Sequence, residues 1–182
     1  MDKLINKIDK FKNKKNRLII GIDGRAASGK STLAKYLKDK YNCTVFRMDD
    51  FFLTDDLRTV DRLSTPGENI DHSRMYKEVF SKLSNSKIEY KKYNCNTKAF
   101  EKENETVKDI VVIEGVYALR PEFMRYYDIT VFVDVDKSVQ LERLKSRNES
   151  LLSRFVDEWL PMEEKYFTAF ETVNKAEIII KQ

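Results

Sequence analysis

The chain has 182 residues, 41% apolar and 35% charged, with five Gly, three Pro, two separate Cys and a formal net charge of +4. A domain of that length buries roughly 70% of its unfolded surface, and this composition excludes disordered, fibrous, disulfide-framed and CxxC zinc-organised chains. No apolar run nears the roughly 20 residues that cross a bilayer, so one cytoplasmic domain over residues 1–182 is expected, with no membrane partner.

The first segment holds most of the basicity. Residues 1–17 carry seven basic and two acidic side chains, while the rest of the chain carries 27 and 28. Leu4, Ile5, Ile8 and Phe11 recur at helical spacing, which predicts a basic amphipathic helix over 1–16. Such a helix can touch RNA or a membrane. The simpler expectation is a solvated helix leading into the first strand, with no nucleic-acid partner. The same charged start lacks the apolar centre of a secretory signal.

Beyond it, apolar runs alternate with helical patterns. RLIIGID (17–23), CTVFRM (43–48), DIVVIEG (109–115), ITVFVDV (129–135) and AEIIIK (176–181) read as buried strands. Helices are expected at 30–40, 72–84 and 121–126, then from 137 to about 174 with breaks at Asn148 and Pro161. This alternation implies an α/β fold with a parallel sheet covered on both faces. Residues 86–107 are polar and alternating, and predict an exposed β-hairpin inserted into that body.

Four features carry chemistry. Gly24-Arg25-Ala26-Ala27-Ser28-Gly29-Lys30-Ser31 fits G-x-x-x-x-G-K-[ST] between a strand and a helix, the context this phosphate loop needs. Its N–H groups and the helix start would cradle phosphates, Lys30 would reach the β- and γ-phosphates, and Ser31 would join a Mg²⁺ shell. Asp49 and Asp50 follow the second strand, where a parallel sheet places ligands, so one of them can orient an acceptor hydroxyl. Neighbours on an extended segment point to opposite sides, so both are not expected to face the acceptor, and Asp49, one residue beyond the strand end, is expected to point into the crevice beside Lys30. Of Phe51 and Phe52, at least one belongs to the core. Glu114 ends an apolar strand, where a buried carboxylate needs a cation such as Mg²⁺. Arg143 and Arg147 share a helix face and suit a lid over 137–150 that clamps phosphate charge. Asp71, beside the single His72, can accept two hydroxyls of a diol.

These segments resemble the uridine kinase and phosphoribulokinase-like family of phosphate-loop kinases. The resemblance rests on GIDGRAASGKST (21–32), MDDFF (48–52), NIDH (69–72), Tyr93, VVIEG (111–115), FVDVD (132–136) and LERLKSRN (141–148), in family order. It implies the P-loop NTPase fold, a five-stranded parallel sheet with a β-hairpin for the nucleoside. It further implies ATP as phosphate donor, bound by Gly24, Ala26, Ala27, Ser28, Gly29, Lys30, Ser31 and Thr32. Ser31 and Glu114 would hold Mg²⁺, and Lys30, Asp49, Arg143 and Arg147 would be catalytic. Asp49, Phe52, Asp71 and Tyr93 would bind the acceptor, with Asp71 on the ribose and Tyr93 beside the base. The expected reaction is transfer of the γ-phosphate to the 5′-hydroxyl of a nucleoside, uridine or cytidine. Where uridine kinases follow the hairpin Tyr with Asp-Phe and a His, this chain has Asn94-Cys95-Asn96-Thr97-Lys98. Other readings are a kinase for nicotinamide riboside, pantothenate or a similar alcohol, an NTP-hydrolysing switch or assembly factor, and a binding module without chemistry. A guanine-reading N-K-x-D segment is absent beyond the phosphate loop, and the retained Lys30, Ser31, Asp49 and Glu114 argue for chemistry. Nothing in the sequence excludes a homo-oligomer.

Overall fold

The computed structural model describes residues 1–182. In chain order it holds α1 (Asp2–Phe11), β1 (Leu18–Gly24), α2 (Lys30–Tyr41), β2 (Thr44–Arg47), α3 (Val60–Ser64), α4 (His72–Glu78), β3 (Lys87–Asn94) and β4 (Ala99–Thr106). There follow β5 (Ile110–Glu114), α5 (Pro121–Met124), β6 (Ile129–Asp134), α6 (Lys137–Arg147), α7 (Leu152–Arg154), α8 (Leu160–Phe170), α9 (Thr172–Lys175) and β7 (Ile178–Lys181).

The five apolar runs form one sheet in the order β2-β5-β1-β6-β7, with every pairing parallel. Successive side chains of a strand face opposite sides, and both sides here are apolar. Leu18, Ile20, Ile22, Val112, Val131 and Val133 pack with Leu33, Ala34 and Leu37 of α2. Val111, Ile113 and Phe132 face the other way, against Phe46, Phe51, Tyr166 and Phe167. The register aligns Arg47 with Glu114, Ile22 with Glu114 and Gly24 with Val133. The carboxyl ends of β1, β2, β5 and β6 therefore meet along one edge.

Several expectations need correction. The first helix is not simply solvated, because Leu4 and Ile8 are fully buried in the α2-side core and Lys3 and Lys7 bind Glu177. Its apolar stripe is spent on the sheet. This helix also contains the chain's one N-K-x-D string, Asn6-Lys7-Ile8-Asp9, ahead of the phosphate loop and with Ile8 in the core. The helix expected over 72–84 stops at Glu78 and resumes as a 3-10 turn over Phe80–Lys82. Asn148 does end α6, in an extended conformation. At Pro161 the helix does not end: the α-helical pattern gives way to a π-helical turn at Phe155–Trp159 and resumes as α8 with Pro161 in its first turn.

The hairpin forms as β3 and β4, paired from Lys87–Thr106 to Asn94–Ala99. It is exposed on β4, while β3 alternates, with Lys87, Glu89 and Lys91 exposed and Ile88, Tyr90 and Tyr93 buried. The Tyr90 ring lies 5.6 Å from that of Phe46 in β2 and 5.7 Å from that of Phe51 after it, so β3 is pinned to β2 and the turn that follows.

Candidate active site

The phosphate loop runs from the end of β1 into α2, and its backbone explains its residues. Gly24 has φ 145°, and a Cβ there would lie 2.0 Å from the Val133 carbonyl oxygen. Gly29 (φ 96°) and Ala27 (φ 56°) are also left-handed. This curl leaves the N–H groups of Ala27, Gly29, Lys30, Ser31 and Thr32 with no acceptor inside the protein. A run of free donors at a helix start is an anion cradle. Lys30 is only 8% exposed, and its Nζ donates to the carbonyls of Gly24 at 2.8 Å and Arg25 at 2.7 Å. The ammonium is thus held beside the cradle by its own loop.

Glu114 is brought to the same place by β5. Its Oε1 accepts from Ser31 Oγ at 3.1 Å and from Arg47 Nε at 3.2 Å. Burial pushes its carboxyl above the usual range, as does the charge of Asp49, while Arg47, Lys30 and Ser31 pull it back. A hydroxyl and one carboxylate suit Mg²⁺, which takes oxygen ligands and commonly binds through one or two carboxylates plus phosphates. There is no cluster of three or more His, Cys, Asp or Glu residues that would make a self-sufficient metal cage.

Met48–Phe51 is a 3-10 turn, not the extended segment assumed from sequence. The two aspartates diverge nevertheless: Asp49 is exposed, whereas Asp50 is buried and accepts from Tyr90 OH at 3.3 Å. Burial raises the Asp50 carboxyl, opposed by Lys92, Arg47 and Tyr90. The charge of Asp49 pushes up the Glu114 carboxyl, the Tyr117 hydroxyl and the Cys95 thiol. Phe51 is core and Phe52 half-buried, bridged to Ile70.

That bridge brings Asp71 alongside, its N–H bonded to the Phe51 carbonyl at 2.8 Å. The Asp71 carboxylate caps α4 through Arg74 N–H at 3.0 Å and lies 3.6 Å from Arg74 Nε. Tyr93 is 6% exposed, with its ring 5.3 Å from that of Phe100, which is 47% exposed. On the opposite flank, Arg143 donates to the Ala27 carbonyl at 3.2 Å. Arg147, one turn on, is exposed at the end of α6 and forms no ion pair.

A family model described as the phosphoribulokinase / uridine kinase family matches residues 19–151. The chain belongs to this family. It is 26% identical to a uridine kinase of Anoxybacillus flavithermus over 93% of this chain and 88% of that protein. It is 30% identical to a uridine kinase of Clostridium botulinum over 79% of this chain and 74% of that one. In fold it is similar to a possible uridine kinase from Bacillus stearothermophilus, at TM-score 0.70, 23% identity and 98% and 99% coverage. The phosphoribulokinase of Rhodobacter spheroides aligns at TM-score 0.63 and 9% identity, over 91% of this chain and 70% of that one. Members of the phosphoribulokinase/uridine kinase family are kinases, that is, phosphotransferases, and the family implies ATP as the donor. No helix of this member is long and apolar enough to cross a membrane.

Sequence reasoning missed four groups here. Arg47 pairs with Glu114; Asp23, fully buried, takes N–H bonds from Gly24 at 2.7 Å and Leu119 at 2.9 Å and an O–H bond from Tyr166 at 2.8 Å. Gln140 and Glu163 grip Ala26. Asp23 carried a signal, a charge inside an apolar run directly before the loop; the other three have partners set only by tertiary packing.

Proposed function

We propose that this chain transfers the γ-phosphate of ATP to the 5′-hydroxyl of a nucleoside, with uridine or cytidine as the acceptor. The observation that carries this reading is the meeting of three groups at one sheet edge: a cradle of unpaired N–H donors with Lys30, the Ser31–Glu114 pair, and an exposed Asp49. The cradle and Lys30 bind the triphosphate and meet the charge that develops on the transferred group. Ser31 and Glu114 would hold Mg²⁺, which neutralises phosphate charge when bound. Asp49 orients the acceptor hydroxyl and takes its proton, the role that fits a loose transition state. Phe52, Asp71 and Tyr93 wall the acceptor side, and Arg143 and Arg147 extend from the lid, residues 137–150, over the phosphates.

Relatives named uridine kinase at 26–30% identity support a nucleoside acceptor, and a role in pyrimidine salvage in the cytoplasm would go with it. The experiment is ADP release with Mg·ATP, run with and without uridine. The reading expects release that depends on uridine. Equal release in both arms would mark an NTP-hydrolysing switch, and release only with another alcohol would reassign the acceptor.

A further inference from the structure

The phosphate loop leans on two helices remote from it in sequence. The Ala26 peptide is held at both ends: its N–H donates to Glu163 Oε2 of α8 at 3.0 Å, and its carbonyl accepts from Gln140 Nε2 of α6 at 3.0 Å. One turn along α8, Tyr166 binds Asp23 at the start of the loop. Arg25, next to Ala26, is tied to Asp134 at 2.8 Å and to Glu164. Helix α8 therefore grips the loop at its entry and at its outer turn.

Glu163 stands out because it is ionisable and only 5% exposed. A buried amide can be satisfied by a neutral acceptor, and a buried carboxylate is costly without a cation. The charged and titratable groups electrostatically coupled to Glu163 are Lys30 and Arg25 from the loop, Asp23 from β1 and Tyr117 from the segment after β5. Arg25 already serves Asp134 and Glu164, and Lys30 already serves two carbonyls.

We propose that Glu163 is a positioning residue for nucleotide binding: it fixes the outer turn of the phosphate loop through the Ala26 N–H and sets the charge behind Lys30. This rests on the kinase reading above. Burial lifts the Glu163 carboxyl to about 7, against the pull of Lys30 and the Ala26 amide and helped by Asp23. Phosphates arriving in front of the loop add negative charge and favour the protonated form further. Nucleotide binding then takes up protons, and affinity falls as pH rises through about 7.

The test is equilibrium binding of a fluorescent ATP analogue with Mg²⁺ between pH 6 and 8.5, on the full chain and on Glu163→Gln and Glu163→Leu. Glu163→Leu strands the Ala26 N–H and should weaken binding about tenfold or more at pH 6.5, which is 1.4 kcal/mol. Glu163→Gln keeps an acceptor, so it should stay within about threefold of wild type there. It should also lose the part of the pH dependence that wild type shows beyond the nucleotide's own titration. Wild-type binding by the Leu variant, or an unchanged pH profile in the Gln variant, overturns the inference; the Gln profile alone decides it where the Leu variant does not fold. Wild-type protein that binds no nucleotide at any pH overturns the kinase reading as well, whereas normal wild-type binding with unresponsive variants overturns this inference only.

Discussion

Asp49 and Asp50 share one 3-10 turn, and replacing each by Asn separates chemistry from packing. The Asp49 side chain is exposed and its charge adds to the upward push on the Glu114 carboxyl. Asp49→Asn removes the proton acceptor and that repulsion, so the melting temperature should hold or rise slightly. General-base help is worth roughly 10²–10⁴-fold, so kcat should fall by that factor, about 3–5 kcal/mol of barrier. Nucleotide affinity should stay unchanged. Asp50→Asn keeps an acceptor oxygen for Tyr90 OH, 3.3 Å away, but removes the charge that strengthens that bond and, with it, a buried charge. These effects offset to within about 1 kcal/mol, or about 2–4 °C for a domain of this size, and kcat should stay within about tenfold. The assay is initial-rate ADP release at saturating acceptor, with a thermal melt of each variant. A larger kcat loss at Asp50, with its melting temperature unchanged, would refute the assignment.

Three further outcomes are expected. Lys30→Ala should nearly abolish phosphoryl transfer with circular dichroism unchanged, because its Nζ bonds only loop carbonyls; near-normal turnover would contradict its placement at the developing charge. Tyr93→Ala should raise the acceptor's KM about tenfold, on a stacking contribution of roughly 1–3 kcal/mol, and leave the KM of ATP alone; a parallel rise in both would remove the hairpin from the acceptor site. Asp23 titrates near 6 in the folded protein because it is buried, against about 3.9 unfolded. Its folded form holds the proton more tightly, so its contribution is fully present below about pH 4 and is lost as pH rises to 6. Melting temperatures should record a smaller fall over that window in Asp23→Asn than in wild type, and an identical fall would show that Asp23 does not titrate there.

The fold was legible wherever one local pattern decided the outcome. Val111-Val112-Ile113 and Ile129 to Val133 can only be buried strands at that density of β-branched residues, and the phosphate loop announces its own turn through Gly24 and Gly29. The hairpin was legible over 86–107 from its polar alternation; its turn, where the Asn94 side chain accepts from the N–H groups of Asn96 and Thr97, was not singled out. Local pattern failed where burial came from distant partners. Leu4 and Ile8 looked like one stripe of a free helix because the sheet that covers them lies elsewhere in the chain. The 3-10 turn at Met48–Phe51 had no Gly or Pro to betray it. The Glu163 grip on Ala26 spans 137 residues, and nothing in EEKYF distinguishes Glu163, which is buried, from Glu164, which is exposed.

Asp49 and the phosphate loop are expected to serve one acceptor hydroxyl. Mass spectrometry of the products formed with Mg·ATP and a mixture of nucleosides, nicotinamide riboside and pantothenate tests it directly. A single new phosphate is expected on uridine or cytidine, at the 5′-oxygen, and none with Lys30→Ala. ADP formed without any phosphorylated alcohol in the mixture would contradict it.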